Sequence, residues 1–208
     1  MSPTKNPGTP SRPGPASSGG ASPALEWLWR YLKDVRNPHL LDCGPVSQVT
    51  IDVLLKSGAK VYVADLLTPL LSGDAAFWDR SGKTAVFLQE KFLAQLPPIA
   101  PESLSAVFCW HLLDLLPRAA LPGVVERLGS HLQPGGAFFC LLREASLAEG
   151  TETTWSFETL TVLHPGPERR GRFPYPPLTN REVEKLLPGG NVKTFLTRAG
   201  RREVLAIK

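Results

Sequence analysis

The 208-residue chain has no long apolar stretch. No run reaches the about 18 residues that a membrane-spanning helix requires, and the first residues lack the apolar core of a secretory signal. Cysteine is also scarce, because Cys43, Cys109 and Cys140 are the only three. Each lies inside an apolar run typical of a core strand, so we expect reduced, buried thiols without a disulfide. These absences predict a cytoplasmic protein.

The chain also has no large excess of charge. It contains 23 Lys and Arg and 19 Asp and Glu, which give a net charge of +4. The basic residues cluster only at Arg169–Arg172 and at Arg198–Arg202. Nucleic-acid binding requires a continuous basic face, whereas short clusters are typical of solvated loops. His39, His131 and His164 show no ligand spacing with cysteines or carboxylates, so no metal site is predicted.

Proline, glycine, serine, threonine and alanine dominate residues 1–23, which offer little apolar surface to bury. This composition predicts a disordered tail. The remaining 24–208, within a chain that is 42% hydrophobic and 20% charged, predict a single globular domain.

Apolar strands alternate with amphipathic helices along this domain. The predicted strands are 40–43, 61–64, 84–88, 106–110 and 137–142, and the predicted helices are 24–35, 47–58, 112–116 and 121–132, with a less regular helical stretch over 68–81. A capping-box pattern at Thr179–Glu182 then starts a helix to Leu187. The segments 192–197 and 203–207 predict a closing hairpin. Continuous apolar strands separated by helices favour a parallel sheet covered on both faces.

Two of these strands end in an acid. The first runs into Asp42-Cys43-Gly44, and the second ends in Asp65. A strand, a glycine turn opening a helix, and a carboxylate about 20 residues further on form a layout that holds a nucleoside, because the carboxylate accepts both ribose hydroxyls. The same residues also suit a connection kept only for folding, with Asp65 as a turn residue.

Together these motifs resemble the S-adenosylmethionine-dependent methyltransferases of the Rossmann-like class I fold. The most distinctive match is Leu132-Gln133-Pro134-Gly135-Gly136, which resembles the family's Leu-x-Pro-Gly-Gly turn before strand five. The resemblance covers 24–208. It implies a three-layer α/β sandwich with a mostly parallel seven-stranded sheet and a C-terminal antiparallel hairpin. It also implies methyl transfer from S-adenosylmethionine to a small molecule.

The resemblance assigns cofactor contacts to the loops after the first four strands. The residues concerned are Asp42, Gly44, Val46, Asp65, Leu66, Glu90, Lys91, Phe92 and Trp110. Three positions depart from the family pattern: Val46 and Gln48 stand where glycines usually fall, and Lys91 stands where many relatives have an acid. Glu90 is either the substitute for that acid or part of a solvated pair with Lys91. The departures favour the alternative of a non-catalytic relative with weakened or lost cofactor binding.

His111, directly after the fourth strand, is the candidate general base, because ligands of open α/β sheets lie beyond the carboxyl ends of the strands. It is alternatively a hydrogen-bonded turn residue. The segment 145–178 is a candidate substrate cap, in which Trp155, Phe157, Phe173 and Tyr175 either line an acceptor site or pack against the core. Nucleic-acid modification is a third class of function, which would depend on Arg169, Arg170 and Arg172.

Overall fold

The computed structural model describes residues 20–143, 152–169, 174–187, 189–197 and 201–208. Residues 1–19 of the predicted tail, Arg170 to Phe173 and Arg198 lie outside the described residues.

The described chain alternates strands and helices as the sequence predicts. The strands are β1 (Gly20–Ala21), β2 (His39–Asp42), β3 (Lys60–Val63), β4 (Trp78–Asp79), β5 (Val86–Phe87), β6 (Leu104–Phe108), β7 (Leu132–Leu142), β8 (Glu152–Thr159), β9 (Val162–Arg169), β10 (Asn191–Leu196) and β11 (Arg202–Ile207). The helices are α1 (Pro23–Tyr31), α2 (Gln48–Lys56), α3 (Leu67–Leu71), α4 (Gln89–Leu93), α5 (Leu112–Leu115), α6 (Leu121–His131) and α7 (Asn180–Leu186), with a 3-10 turn at Ala75–Phe77.

The central sheet has six strands among the described residues, in the order β10-β11-β7-β6-β2-β3. Strands β3, β2, β6 and β7 are parallel, whereas β11 and β10 run antiparallel to their neighbours. The α/β architecture and the C-terminal antiparallel hairpin agree with the prediction. The sheet is mixed, and the prediction of seven strands is wrong.

The missing strand is the one predicted over 84–88. Only Val86 and Phe87 are extended, and they pair with Trp78 and Asp79 in a separate two-stranded sheet. The rings of Trp78 and Phe87 contact each other edge-on, with centroids 5.2 Å apart. This nearby partner, a few residues back along the chain, takes the backbone hydrogen bonds that pairing with β3 would have used.

The predicted tail is too long by four residues, because Gly20 to Pro23 are folded. Gly20 and Ala21 pair with β9, and the Ser22 side chain caps α1 by accepting from the Leu25 amide. Ser22 Oγ also donates to the fully buried Glu203 at 2.8 Å. The hydrogen bonds of Ser22 therefore hold the start of the domain in place. The composition of the segment, on which the predicted tail rests, does not reveal these bonds.

Within the candidate cap, β8 and β9 form a hairpin that β1 extends into a three-stranded sheet. Phe157 is fully buried and Trp155 is 8% exposed, so these two aromatics pack in the core. The Phe157 amide donates to Thr50 Oγ1 at 3.1 Å, which ties β8 to α2. Tyr175 is half-buried.

The core of the central sheet contains all three cysteines, each buried with a free thiol, as predicted. No helix in the described part of the chain is both long and apolar enough to cross a bilayer.

Candidate functional site

The parallel strands β3, β2 and β6 end side by side, and the chain crosses from one flank of β2 to the other between β3 and β6. Such a reversal of strand order opens a crevice at the carboxyl ends of an α/β sheet, where ligands of this architecture bind. Asp42 ends β2, Asp65 follows β3, and Trp110 and His111 follow β6. The fold therefore brings four of the predicted site residues to one edge of the sheet.

Asp42 and Trp110 contact each other directly in this crevice. Trp110 Nε1 donates to Asp42 Oδ1 at 2.6 Å, and the Gly44 amide donates to the same oxygen at 2.9 Å. Asp42 is 2% exposed and Trp110 is 1% exposed. The carboxylate that the sequence assigns to a ligand thus has an indole as its partner.

The Trp110 indole packs directly against the backbone of Gly44. A methyl group added at Gly44 would be 2.5 Å from Trp110 Nε1, well inside van der Waals contact. The absence of a side chain at Gly44 therefore allows Trp110 to approach the backbone. The surface that the family resemblance assigns to the cofactor's methionine part is covered by this side chain.

Aromatic rings enclose Trp110 on its other sides. Its ring centroid lies 5.4 Å from that of Phe157 and 6.1 Å from that of Phe139, both in edge-to-face arrangements, and 6.4 Å from that of Phe108. The Trp110 backbone has a φ of 48°. A left-handed conformation is an outlier for a bulky residue and is retained only where the surroundings hold it.

Burial raises the pKa of Asp42 to about 6, and the nearby Asp65 carboxylate adds to the increase, whereas the hydrogen bonds from Trp110 and Gly44 oppose it. Desolvation has the largest effect because the carboxyl group is enclosed by aromatic rings and backbone. Asp42 therefore changes charge near neutral pH.

Asp65 lies half-buried between β3 and α3. Its Oδ1 accepts from the Thr68 amide at 2.8 Å, which caps the first turn of α3. Leu66, the next residue, is fully buried. A partly accessible carboxylate at the end of a central strand has the chemistry to accept a ribose hydroxyl, and the same carboxylate performs the alternative role of a turn residue.

The remaining predicted contacts do not form one surface. Phe92 is fully buried and packs edge-on against Phe77 and at a tilt against Phe87, whereas Glu90 and Lys91 are exposed. Glu90 lines an open groove between α4 and α6 that also includes Glu126 and Arg127. Val46 is 69% exposed on the loop before α2. Among the described residues, no hydrogen bond, ion pair or ring contact joins these four residues to the crevice.

His111 contacts a carboxylate that sequence reasoning missed. Its Nδ1 is 3.2 Å from Oδ2 of Asp114, one helical turn further along, and the Asp114 side chain is fully buried. The Arg143 amide donates to Asp114 Oδ2 at 2.8 Å, and Arg143 Nε lies 3.8 Å from Oδ1. The i, i+3 spacing of His111 and Asp114 was the available signal. The described residues contain no group of three or more His, Cys, Asp or Glu side chains able to hold a metal.

Comparison with known proteins finds no matching family model and no matching curated protein. Several solved structures of S-adenosylmethionine-dependent methyltransferases are similar to the chain. A 1,6-didemethyltoxoflavin-N1-methyltransferase from Burkholderia thailandensis, solved with its substrate and S-adenosylhomocysteine, is 18% identical. The match covers 89% of this chain and 76% of that one, with a TM-score of 0.48.

Two further structures show the same degree of similarity. A methyltransferase from Mesorhizobium loti is 15% identical, with coverage of 89% and 99% and a TM-score of 0.47. The glycopeptide N-methyltransferase MtfA, solved with sinefungin, is 14% identical, with coverage of 98% of each chain and a TM-score of 0.43. S-adenosylhomocysteine is bound in the Burkholderia structure and sinefungin in the MtfA structure, and these two enzymes are named for different acceptors, a didemethyltoxoflavin and a glycopeptide.

Proposed function

We propose that this chain is an S-adenosylmethionine-dependent methyltransferase for a small-molecule acceptor, and that it binds the cofactor after Trp110 moves away from Asp42. The observation that carries the proposal is the convergence of Asp42, Asp65, Trp110 and His111 where the strand order reverses. Open α/β sheets bind their ligands at such an edge.

The two ends of the cofactor fit this crevice differently. At the ribose end, the Asp65 carboxylate is partly accessible and beside buried Leu66. At the methionine end, the Trp110 indole fills the space over Gly44. At the ribose end a hydroxyl group can approach Asp65 in the structure as it stands, whereas over Gly44 a ligand can approach the backbone only when the indole leaves.

When bound, the cofactor supplies a methyl group that is already activated for transfer. The protein then has to align the acceptor and exclude water. In this proposal Asp65 holds the ribose, the aromatic residues around Trp110 exclude water, and His111 accepts the acceptor's proton. Leu66, buried beside Asp65, supports the ribose end, whereas Val46, Glu90, Lys91 and Phe92 have no role in this proposal.

Titration calorimetry with S-adenosylhomocysteine, the demethylated product, tests the proposal. Binding is expected together with an increase in melting temperature, because a ligand that binds only the native state stabilises it by mass action. Absence of both effects at millimolar ligand would refute cofactor binding.

Asp65→Ala is expected to weaken S-adenosylhomocysteine binding by about 1.5–3 kcal/mol, the range for hydrogen bonds to a charged group. Asp74→Ala is a matched control, because the Asp74 carboxylate also caps a short helical turn, by accepting from the Ala76 amide. Both variants lose a capping bond, but only the first should lose affinity in calorimetry. Equal affinities in the two variants would leave Asp65 as a turn residue.

A specific observation also favours the alternative of a non-catalytic relative. Trp110 is buried, and its indole donates a hydrogen bond to Asp42. In a non-catalytic binding or interaction protein, the crevice would stay closed in this way permanently. The calorimetric experiment separates the two candidates, since the alternative predicts no S-adenosylhomocysteine binding by the unmodified chain.

A further inference from the structure

We propose that Asp114 is the positioning residue for His111: it fixes the imidazole with its proton on Nδ1, so that Nε2 is the nitrogen able to accept a proton from the methyl acceptor. The inference rests on the proposed function for its catalytic meaning. The position of the proton on His111 is argued only from the contacts of His111, Asp114 and Arg143.

The direction of the hydrogen bond follows from the surroundings of Asp114. Oδ2 accepts from the Arg143 amide, and Oδ1 lies near the Arg143 guanidinium. Oδ2 therefore already acts as a hydrogen-bond acceptor, and an oxygen in that role accepts from a further neighbour as well. Nδ1 of His111 must therefore be the donor across the 3.2 Å contact. In neutral imidazole the other nitrogen then carries the lone pair.

Arg143 also fixes the carboxylate. Its Nη2 donates to the Tyr175 carbonyl, so the residue joins the end of β7 to the segment that leads into α7. The Asp114 side chain is 0% exposed and that of Arg143 is 6% exposed. This packing restricts the Asp114 rotamer and, through it, the ring plane of His111.

The chemical class of acceptor follows from this arrangement. A base is needed where the acceptor atom carries a proton, as in a hydroxyl or an amine. The O–H or N–H bond breaks, its electron pair stays on the acceptor atom, and the proton goes to Nε2 of His111. A carboxylate or thioether acceptor has no proton to lose and would make no use of the pair.

Long-range proton–nitrogen NMR of the four histidine side chains, recorded at about pH 8 where histidine is ordinarily neutral, tests the proposal. The His111 signals are assigned by their loss in His111→Gln. The expected pattern is a protonated Nδ1 and an unprotonated Nε2. A protonated Nε2 in the unmodified protein would overturn the proposal, and this outcome requires no variant of Asp114 to fold.

Asp114→Asn is the second measurement, because its uncharged amide no longer enforces the Nδ1–H form. The variant should show a shifted population of His111 tautomers, and Asp114→Glu should restore the original pattern in part. His39, which lies edge-on to Tyr62, is an internal control whose tautomer should not change. An unchanged His111 in Asp114→Asn would contradict the proposal.

Titration of the same samples with S-adenosylhomocysteine distinguishes a failure of this inference from a failure of the proposed function. If the ligand fails to bind the unmodified protein while His111 shows the Nδ1–H form, the methyltransferase proposal fails and the positioning geometry stands. If the ligand binds but His111 does not show the Nδ1–H form, only the role of Asp114 is refuted.

Discussion

Trp110→Ala is expected to bind S-adenosylhomocysteine at least about tenfold more tightly than the unmodified chain. An apparent dissociation constant is the intrinsic constant divided by the fraction of molecules in the competent conformation, and a minor conformation is typically populated at about 10% or less. Removing the indole frees the surface over Gly44 and releases the Asp42 carboxylate. Titration calorimetry of both proteins measures the difference.

The same substitution has a large cost in stability. Trp110 is enclosed by Phe108, Phe139 and Phe157, and truncation of a buried tryptophan to alanine lowers the free energy of unfolding by about 3–5 kcal/mol. Urea denaturation should show this loss. A variant that becomes less stable while gaining affinity is the signature of a side chain that competes with a ligand.

Trp27→Ala is the matched control. Trp27 is half-buried, stacks on Tyr31 of α1 and lies near Lys193 of β10, away from the crevice. Its removal should reduce stability without changing S-adenosylhomocysteine affinity. If Trp110→Ala binds no better than the unmodified chain, the indole does not close the site, and the aromatic cluster is core packing alone.

Local sequence patterns predicted most of the fold because they depend on neighbouring residues. The helix that starts after Ser47 and the Thr179–Glu182 capping box form as predicted. Pro134-Gly135-Gly136, by contrast, lies inside β7 instead of before it, with Gly135 at a φ of 76°. The strand predicted over 84–88 failed because its apolar pattern specifies extended backbone without specifying a partner. The local pairing of Phe87 with Trp78 decided the outcome.

The site was predicted less completely, since its contacts join residues far apart in the chain. Asp42 and Trp110 were each identified as ends of strands, but their mutual hydrogen bond spans 68 positions and depends on β2 and β6 being adjacent. The resemblance assigned Gly44 a cofactor contact, whereas in the structure the Trp110 side chain packs against it. Asp114 was within the short helix predicted over 112–116, and only its burial beside Arg143 distinguishes it from a solvent-facing acid.

Asp42→Asn is expected to stabilise the protein at about pH 8 by up to about 3 kcal/mol relative to the unmodified chain. The Asp42 pKa is raised from 3.8 to about 6 in the folded protein, so the native state holds the proton more tightly than the unfolded state. The stability that this gives is fully present below pH 3.8 and is lost as the pH rises through about 6. Each pKa unit corresponds to about 1.4 kcal/mol.

Asparagine removes the buried charge and keeps an oxygen that accepts from Trp110 Nε1 and the Gly44 amide, the two donors that share Oδ1 in the unmodified chain. The two proteins should therefore approach equal stability at about pH 4, and their difference should grow up to pH 7, as followed by urea denaturation. Asp52→Asn, an exposed change on α2, should show no such divergence. A difference between Asp42→Asn and the unmodified chain that is constant across this range would mean that Asp42 does not titrate near pH 6.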